Sequence, residues 1–187
     1  IFLSIAIPGV GYAACLDDTP LTIVSSTDDG LYEETHGSEN AIDGNLDPDS
    51  RWSNLGQGEP KHLLFDLGAV QTVKSMGIAW YKGDQRKATY AIEASVDGET
   101  FQNLRPIGMS AGASLDFETN TFDPVQAQYL RIAAEGNEAN EWNSVVEVQV
   151  TGCGTQVAAP AEPVLTPRAN TGLFGLDPSK SPGENFD

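Results

Sequence analysis

Short runs of apolar and β-branched residues, separated by turn-forming segments, dominate the middle of the chain. Seven such runs lie between residues 15 and 153: LTIVSS, HLLFDLG, TVKSMGIAW, ATYAIEAS, TNTFDP, AQYLRIAA and SVVEVQVTG. In ATYAIEAS the residues Tyr90, Ile92 and Ala94 fall on one face, which is the two-residue period of a β-strand. No stretch keeps a helical period over three turns. We therefore predict an all-β domain of seven or eight strands arranged as a β-sandwich.

The two ends of the chain differ in composition from this middle part. Residues 1–14, IFLSIAIPGVGYAA, carry no charge and end in small residues, which is typical of a secretory signal peptide whose basic start is missing. Residues 154–187 hold five of the eleven prolines and no strand-like run, so we predict a semi-extended linker that leads to a missing further domain. We expect a secreted protein.

The two cysteines, Cys15 and Cys153, bracket the predicted domain. In an oxidising compartment two such cysteines form a disulfide more often than they stay free. The alternative is an outer-membrane lipoprotein in which Cys15 is acylated after cleavage of the signal peptide. The segment YAAC has Tyr12 where a Leu-like residue is usual, so we favour the disulfide.

Positive charge is concentrated in one place in an otherwise acidic chain. The formal net charge of −17 argues against generic binding to nucleic acid or to anionic membranes. Three of the ten basic residues, Lys82, Arg86 and Lys87, lie in the loop-like stretch YKGDQRKA after Trp80. Aromatic rings beside such donors suit a sugar that carries hydroxyl and carboxylate groups. The alternative is a solvated loop with an internal Asp84–Arg86 pair and Trp80 in the core, and for Trp80 alone we favour the core position.

An acidic turn, NAIDGNLDPDSRW at residues 40–52, offers oxygen ligands of the kind that Ca²⁺ prefers. It is not an EF-hand, because Pro48 stands where that motif needs Gly and Asn54 stands where it needs Glu. The alternative is a solvated acidic turn. Nothing indicates catalysis, because the chain has two histidines, His36 and His62, and no G-x-S-x-G motif.

Several segments, in their order along the chain, resemble a known family. AIDGN…SRW, LLFDLGAVQTVKSMGIAW, IEASVDGETF, YLRIAAEG and NSVVEVQV are similar to the discoidin domain of coagulation factors 5 and 8. They resemble even more closely the family 32 carbohydrate-binding modules of secreted bacterial enzymes. The resemblance covers about residues 15–153. It implies an eight-stranded jelly-roll sandwich, with its ends tied together, that binds carbohydrate and has no catalytic site.

The resemblance also implies one structural Ca²⁺. Its expected ligands are the carboxylate of Asp43, the side chains of Ser50 and Glu147, and the backbone carbonyls of Asn40, Asn45 and Val146. Two extra residues within LDPDS leave Asp47 and Asp49 as alternatives to Ser50.

Family 32 modules often carry a sugar-binding Arg in the loop that corresponds to YKGDQRKA, and the segments WSNLGQGE and GNEANEWNS would join it at the binding end. Trp142 is expected to stack on a sugar ring, or alternatively to cap the core. The residues expected to contact the sugar are Asn54, Tyr81, Lys82, Arg86, Lys87, Trp142 and Asn143.

The last six residues, PGENFD, resemble the beginning of the catalytic domain of polysaccharide lyase family 7, the alginate lyases. We therefore expect a monomeric module that tethers an appended lyase to an anionic polysaccharide, alginate, without nucleic-acid binding or membrane insertion. The alternative is a discoidin-type adhesion module that binds protein or phospholipid. Membrane-binding members expose apolar residues on their loops, whereas the candidate loops here are charged or rich in amides.

Overall fold

Eight antiparallel strands form the part of the chain that the computed structural model describes, residues 18–30 and 33–153. The strands are β1 (Thr19–Leu21), β2 (Ser25–Asp28), β3 (Trp52–Leu55), β4 (Lys61–Trp80), β5 (Ala88–Ser95), β6 (Gln102–Met109), β7 (Glu118–Asn137) and β8 (Trp142–Gly152). A short 3-10 helix, Ser38–Ala41, precedes β3. The predicted all-β, eight-stranded jelly-roll fold is confirmed.

Two long strands, β4 and β7, connect the parts of this fold. Each has 20 residues, and the strand order is β1-β8-β4-β7-β5-β6, with β2 beside β4 and β3 beside β8. The register between β4 and β7 shifts twice, between Asp66 and Gln71 and again between Val73 and Ser75. Such irregularities bend a strand, and bent long strands allow the sheet to close over its core as a sandwich.

Apolar side chains from the inner faces of the strands fill the core. The predicted inner face of β5 is confirmed, because Tyr90, Ile92 and Ala94 are completely buried. Trp80 is 4% exposed and packs against Tyr90, with the two ring centroids 4.7 Å apart. The core position favoured for Trp80 is therefore confirmed.

The predicted runs differ from the observed strands in two ways. HLLFDLG and TVKSMGIAW are parts of the single strand β4, and TNTFDP and AQYLRIAA are parts of β7. The prediction also missed β3 and β6. Strand β6 contains Pro106 and Gly108, which disfavour strands, but it lies at the edge of the sheet, where a proline breaks no ladder on its open side.

The predicted signal peptide, the predicted linker and Cys15 lie outside the described residues, so these assignments stay predictions. Cys153 follows β8, and its backbone N–H donates to the carbonyl oxygen of Thr72 over 2.9 Å. Within 18–30 and 33–153 no helix is long and apolar enough to cross a membrane.

Candidate functional site

The loop between β4 and β5 is a tight turn with a fixed backbone. The N–H of Gly83 donates to the carbonyl of Trp80 over 3.1 Å, and the N–H of Arg86 donates to the carbonyl of Lys82 over 3.1 Å. Lys82 itself has a left-handed backbone, with φ of 54°. A Cβ on Gly83 would lie 2.6 Å from the carbonyl oxygen of Ser114, so only glycine fits there. These constraints hold the side chains on either side of the turn in place.

This turn and the loop between β7 and β8 together form a small concave site. The Tyr81 N–H donates to the Ser144 carbonyl over 3.3 Å, and the Glu138 N–H donates to the Lys87 carbonyl over 3.1 Å. The lining residues of the site are Trp80, Tyr81, Arg86, Ala88, Asn137, Trp142 and Ser144. Three residues predicted from separate segments, Tyr81, Arg86 and Trp142, are thus brought together.

Trp142 is held at this site through the backbone of its own loop. The side-chain amide of Asn137 donates to the Trp142 carbonyl over 2.7 Å, and the Trp142 N–H donates to Oδ1 of Asn140 over 3.1 Å. Trp142 is half-buried. A partly exposed indole in a pocket wall can stack against the C–H face of a sugar ring.

Positive charges surround the ring of Tyr81. Cζ of Arg51 lies 4.3 Å from the ring centroid, Nζ of Lys82 lies 5.2 Å away and Cζ of Arg86 lies 5.3 Å away. Within the described residues, the ion pairs shorter than 4.0 Å involve none of these cations. Burial lowers the pKa of Arg86, and the charge of Arg51 also lowers it, whereas Tyr81 acts in the opposite direction.

Arg51 was not among the residues predicted for this site. The available signal was its place in the segment SRW, directly before the fully buried Trp52, which we read only as a mark of the fold. Lys82 is exposed beside the pocket, as a ligand-binding residue must be. Lys87 lies to one side of the pocket, and its stem packs so closely on Gly112 that a Cβ there would lie 2.6 Å from Cγ of Lys87.

The structure corrects the assignment of two predicted sugar-binding amides. Asn54 and Asn143 are each only 3% exposed. Nδ2 of Asn54 donates to the Gly30 carbonyl over 2.6 Å, and Oδ1 of Asn143 accepts from the Gly136 N–H over 2.6 Å. Both side chains are buried against backbone, because Asn54 binds the segment that follows β2 and Asn143 binds the end of β7.

The acidic loop before β3 brings together three of the predicted metal ligands. Oδ1 of Asp43 accepts from the Asn45 N–H over 2.8 Å, and Oδ2 accepts from the hydroxyl of Ser50. Oε2 of Glu147, from β8, accepts from the Gly44 N–H over 3.2 Å. Of the alternatives considered for this position, Ser50 is therefore the residue in contact with Asp43.

Asp43 and Glu147 form a pair of carboxyl groups with no basic partner in the described residues. Burial raises the pKa of Glu147 to about 7, and the nearby Asp43 carboxylate raises it as well, whereas the Gly44 N–H lowers it. Two anionic groups from distant parts of the chain that converge in this way fit a bound cation. The described residues contain no cluster of three His, Cys, Asp or Glu side chains, so such a cation needs hydroxyl and backbone oxygens as well.

Backbone oxygens are available beside this pair. The pairing between β8 and β4 skips Val146, because Val145 pairs with Trp80 and Glu147 pairs with the preceding residue, Ala79. On the other side of β8, pairing with β3 stops at Val145. The predicted ligand role of the Val146 carbonyl is compatible with this position. The side chain of Asn40 donates to the carbonyls of Thr35 and Arg51 over 2.9 and 3.1 Å, which fixes the loop around its backbone.

Comparisons with known proteins identify the family to which this fold belongs. A family model described as the F5/8 type C domain matches residues 22–148. A search of curated protein sequences returned no match. Among solved structures, the family 32 carbohydrate-binding module of AlyQ in complex with 4,5-unsaturated mannuronic acid is 34% identical, with a TM-score of 0.65. The alignment covers 71% of this chain and 97% of that module.

Two further structures add context. A truncated AlyQ that contains its family 32 module and its alginate lyase domain is 33% identical, with a TM-score of 0.67 over 75% of this chain. The match spans only 34% of that longer protein. A pectin-binding carbohydrate-binding module is 27% identical, with a TM-score of 0.65 and coverage of 75% of this chain and 96% of the module. The chain belongs to the F5/8 type C (discoidin) domain family, among its non-catalytic carbohydrate-binding modules of family 32.

Proposed function

We propose that this module binds an anionic polysaccharide, a polymer of uronic acids such as alginate, in the concave site between the β4–β5 and β7–β8 loops. The observation that carries the proposal is the group of three cations around Tyr81. None of them has a carboxylate partner in the described residues, although the chain has a net charge of −17. Unpaired cations in so acidic a protein create a local positive potential that attracts an anionic ligand.

The chemistry of the site suits a uronic acid. Trp142 offers an apolar face for the ring, and the planar guanidinium of Arg86 offers the paired donors that a carboxylate accepts. The rigid turn that carries Tyr81 and Arg86 limits the conformational entropy lost on binding. Two of the similar modules support the ligand class, since one was solved with an unsaturated mannuronic acid and the other is described as pectin-binding.

We also propose that the module tethers an appended alginate lyase to its polysaccharide. The support is the proline-rich segment 154–187, its final residues PGENFD and the similarity to the module of AlyQ, which has an alginate lyase domain. The protein would be secreted, with lipid attachment through Cys15 as the alternative. Reading the coding sequence beyond Asp187 for a lyase domain tests this part of the proposal.

Calcium would stabilise the acidic loop before β3. Asp43, Ser50 and Glu147 would hold it together with the carbonyls of Asn40, Asn45 and Val146. When bound, Ca²⁺ neutralises the converging carboxylates and thereby ties the acidic loop to β8.

Arg86→Ala is expected to weaken binding to alginate oligosaccharides about 10- to 150-fold, because a hydrogen bond to a charged group contributes about 1.5–3 kcal/mol. Trp142→Ala should also weaken binding, but its effect should depend less on salt, since stacking is mainly apolar. Lys87→Ala should have a smaller effect, because Lys87 lies beside the pocket and does not line it. Isothermal titration calorimetry at two salt concentrations measures these changes.

Lys74→Ala is the matched control for these variants. This variant removes one positive charge from the middle of β4, outside the β4–β5 turn. Lys74 pairs there with Asp18, near the end of β8. Its affinity for alginate should equal that of the parent protein. If Arg86→Ala and Trp142→Ala also bound like the parent, the sugar site would lie elsewhere.

A further inference from the structure

All four arginines of the described residues lie over aromatic rings, and two of them also have their guanidinium groups compensated by several backbone carbonyls or by a carboxylate. Cζ of Arg105 lies 3.8 Å from the Tyr90 centroid, and its guanidinium donates to the carbonyls of Tyr90, Pro106, Gly108 and Met109.

Arg131 is compensated in a different way. Its Cζ lies 3.8 Å from the ring centroid of Phe101, and its Nε donates to the Glu93 carboxylate over 2.5 Å. An arginine that is both stacked and paired in this manner has a structural role and little capacity to bind a further anion.

Arg51 and Arg86 share the ring of Tyr81 and lack such compensation. Within the described residues no carboxylate lies within 4.0 Å of either guanidinium. Nη1 of Arg51 donates to the Pro48 carbonyl over 2.8 Å, and its Nε is buried without a hydrogen-bond partner in the described residues. The two cations are close enough that the charge of Arg51 lowers the pKa of Arg86. Two neighbouring like charges with free donors are stabilised when an anion binds beside both.

The backbone of Arg51 is well anchored for such a role. Its carbonyl accepts from Nδ2 of Asn40 over 3.1 Å, and it lies between Ser50, which contacts Asp43, and the fully buried Trp52. The guanidinium is itself held over Tyr81 and by the Pro48 carbonyl, so that less rotamer entropy remains to be lost when it binds a ligand.

We propose that Arg51 and Arg86 form a two-arginine clamp beside Tyr81 that binds one carboxylate of a uronic acid residue, so that Arg51 sets the preference for charged over neutral glycans. The clamp rests on the proposed function, because it adds a specificity-determining residue to the same site. The neutral part of the sugar contacts Trp142, and the carboxylate lies at the end of the pocket nearest Tyr81.

The test compares an alginate oligosaccharide with its carboxyl-reduced counterpart, in which each carboxylate is replaced by a neutral hydroxymethyl group. Calorimetry on the parent protein should show tighter binding of the charged ligand. Arg51→Gln should weaken binding of the charged ligand about tenfold or more and leave the affinity for the neutral ligand unchanged. Arg51→Lys should restore part of the loss, because it keeps the charge but not the planar fork. In the double variant Arg51→Gln/Arg86→Gln the two losses should be less than additive, since both groups hold one carboxylate.

Each other outcome has a distinct meaning. If Arg51→Gln weakened the binding of both ligands equally, the clamp would be overturned and Arg51 would have a role in loop structure. If Arg51→Gln left the binding of both ligands unchanged, the clamp would also be overturned. A parent protein that binds both ligands equally would overturn the clamp but leave a carbohydrate site in place. Absence of binding to either ligand would overturn the proposed function together with the clamp. Melting temperatures confirm folding, and Arg51→Lys supplies the comparison if Arg51→Gln does not fold.

Discussion

In saturating Ca²⁺, Glu147→Gln is expected to melt well below the parent protein. Ligand binding to the folded state alone stabilises by about 2.7 kcal/mol when the ligand is present at 100 times its Kd. For a protein of this size, that corresponds to a melting temperature about 5–11 °C higher. Glutamine keeps the shape of the side chain and an oxygen that can accept from the Gly44 N–H, but it removes one of the two converging charges. The loss should therefore reflect calcium affinity. Differential scanning calorimetry measures it.

In the presence of a chelator, Glu147→Gln should melt at the same temperature as the parent protein or at a higher one. Without a cation, the parent protein retains the unfavourable proximity of Asp43 and Glu147, and Glu147→Gln removes it. Asp47→Asn is the matched control, because Asp47 is exposed in the same loop and contacts the Asp49 N–H but not Asp43. It should respond to calcium like the parent. Equal melting temperatures of the parent protein in Ca²⁺ and in chelator would remove the metal from this account.

Cys153→Ser is expected to lower the free energy of unfolding by about 2–5 kcal/mol, because a disulfide that closes a long loop restricts the unfolded chain. The ladder between β1 and β8 places Thr19 opposite Gly152, so the start of β1 lies next to the residue before Cys153. The predicted partner, Cys15, is only four residues before Thr19 in sequence. Urea denaturation with and without reductant measures the difference.

The pairing predicts a specific pattern among the variants. Cys15→Ser and Cys153→Ser should be equally destabilised, the double variant should lose no more than either, and reductant should affect only the parent protein. Mass spectrometry of the mature protein that found a lipid on Cys15 and a free thiol on Cys153 would contradict the disulfide.

Strand β5 could be predicted because large apolar residues recur at every second position along it. Tyr90, Ile92 and Ala94 illustrate this, since their spacing identified a face that is completely buried. Strand β6 could not be predicted in the same way, because Pro106 and Gly108 contradict strand propensity and are tolerated only by its position at the sheet edge. Edge position is a property of the topology and leaves no signal in a short segment.

The candidate site was predictable where composition was unusual and not elsewhere. Arg86 was identified because positive charge is rare in this chain, and Trp142 because an indole stood in a polar loop. Arg51 was missed because it stands alone in sequence and joins the other cations only through the fold. Asn54 and Asn143 were misassigned because an amide in a loop-like segment has the same sequence whether it is exposed or, as here, buried and bonded to backbone groups.

The most direct test of the central claim is a nitrogen-15 NMR titration of the parent protein with an alginate oligosaccharide, followed through the indole N–H signals of its three tryptophans and through the backbone amide signals. Trp80 and Trp142 line the concave site, whereas Trp52 is fully buried and its Nε1 donates to Asp28 over 2.6 Å. Our account predicts that the signals of Trp142 and Trp80 shift with the added sugar and that the signal of Trp52 does not. Shifts confined to another surface, such as the neighbouring depression at Gly56–Glu59, or no shifts at all, would contradict it.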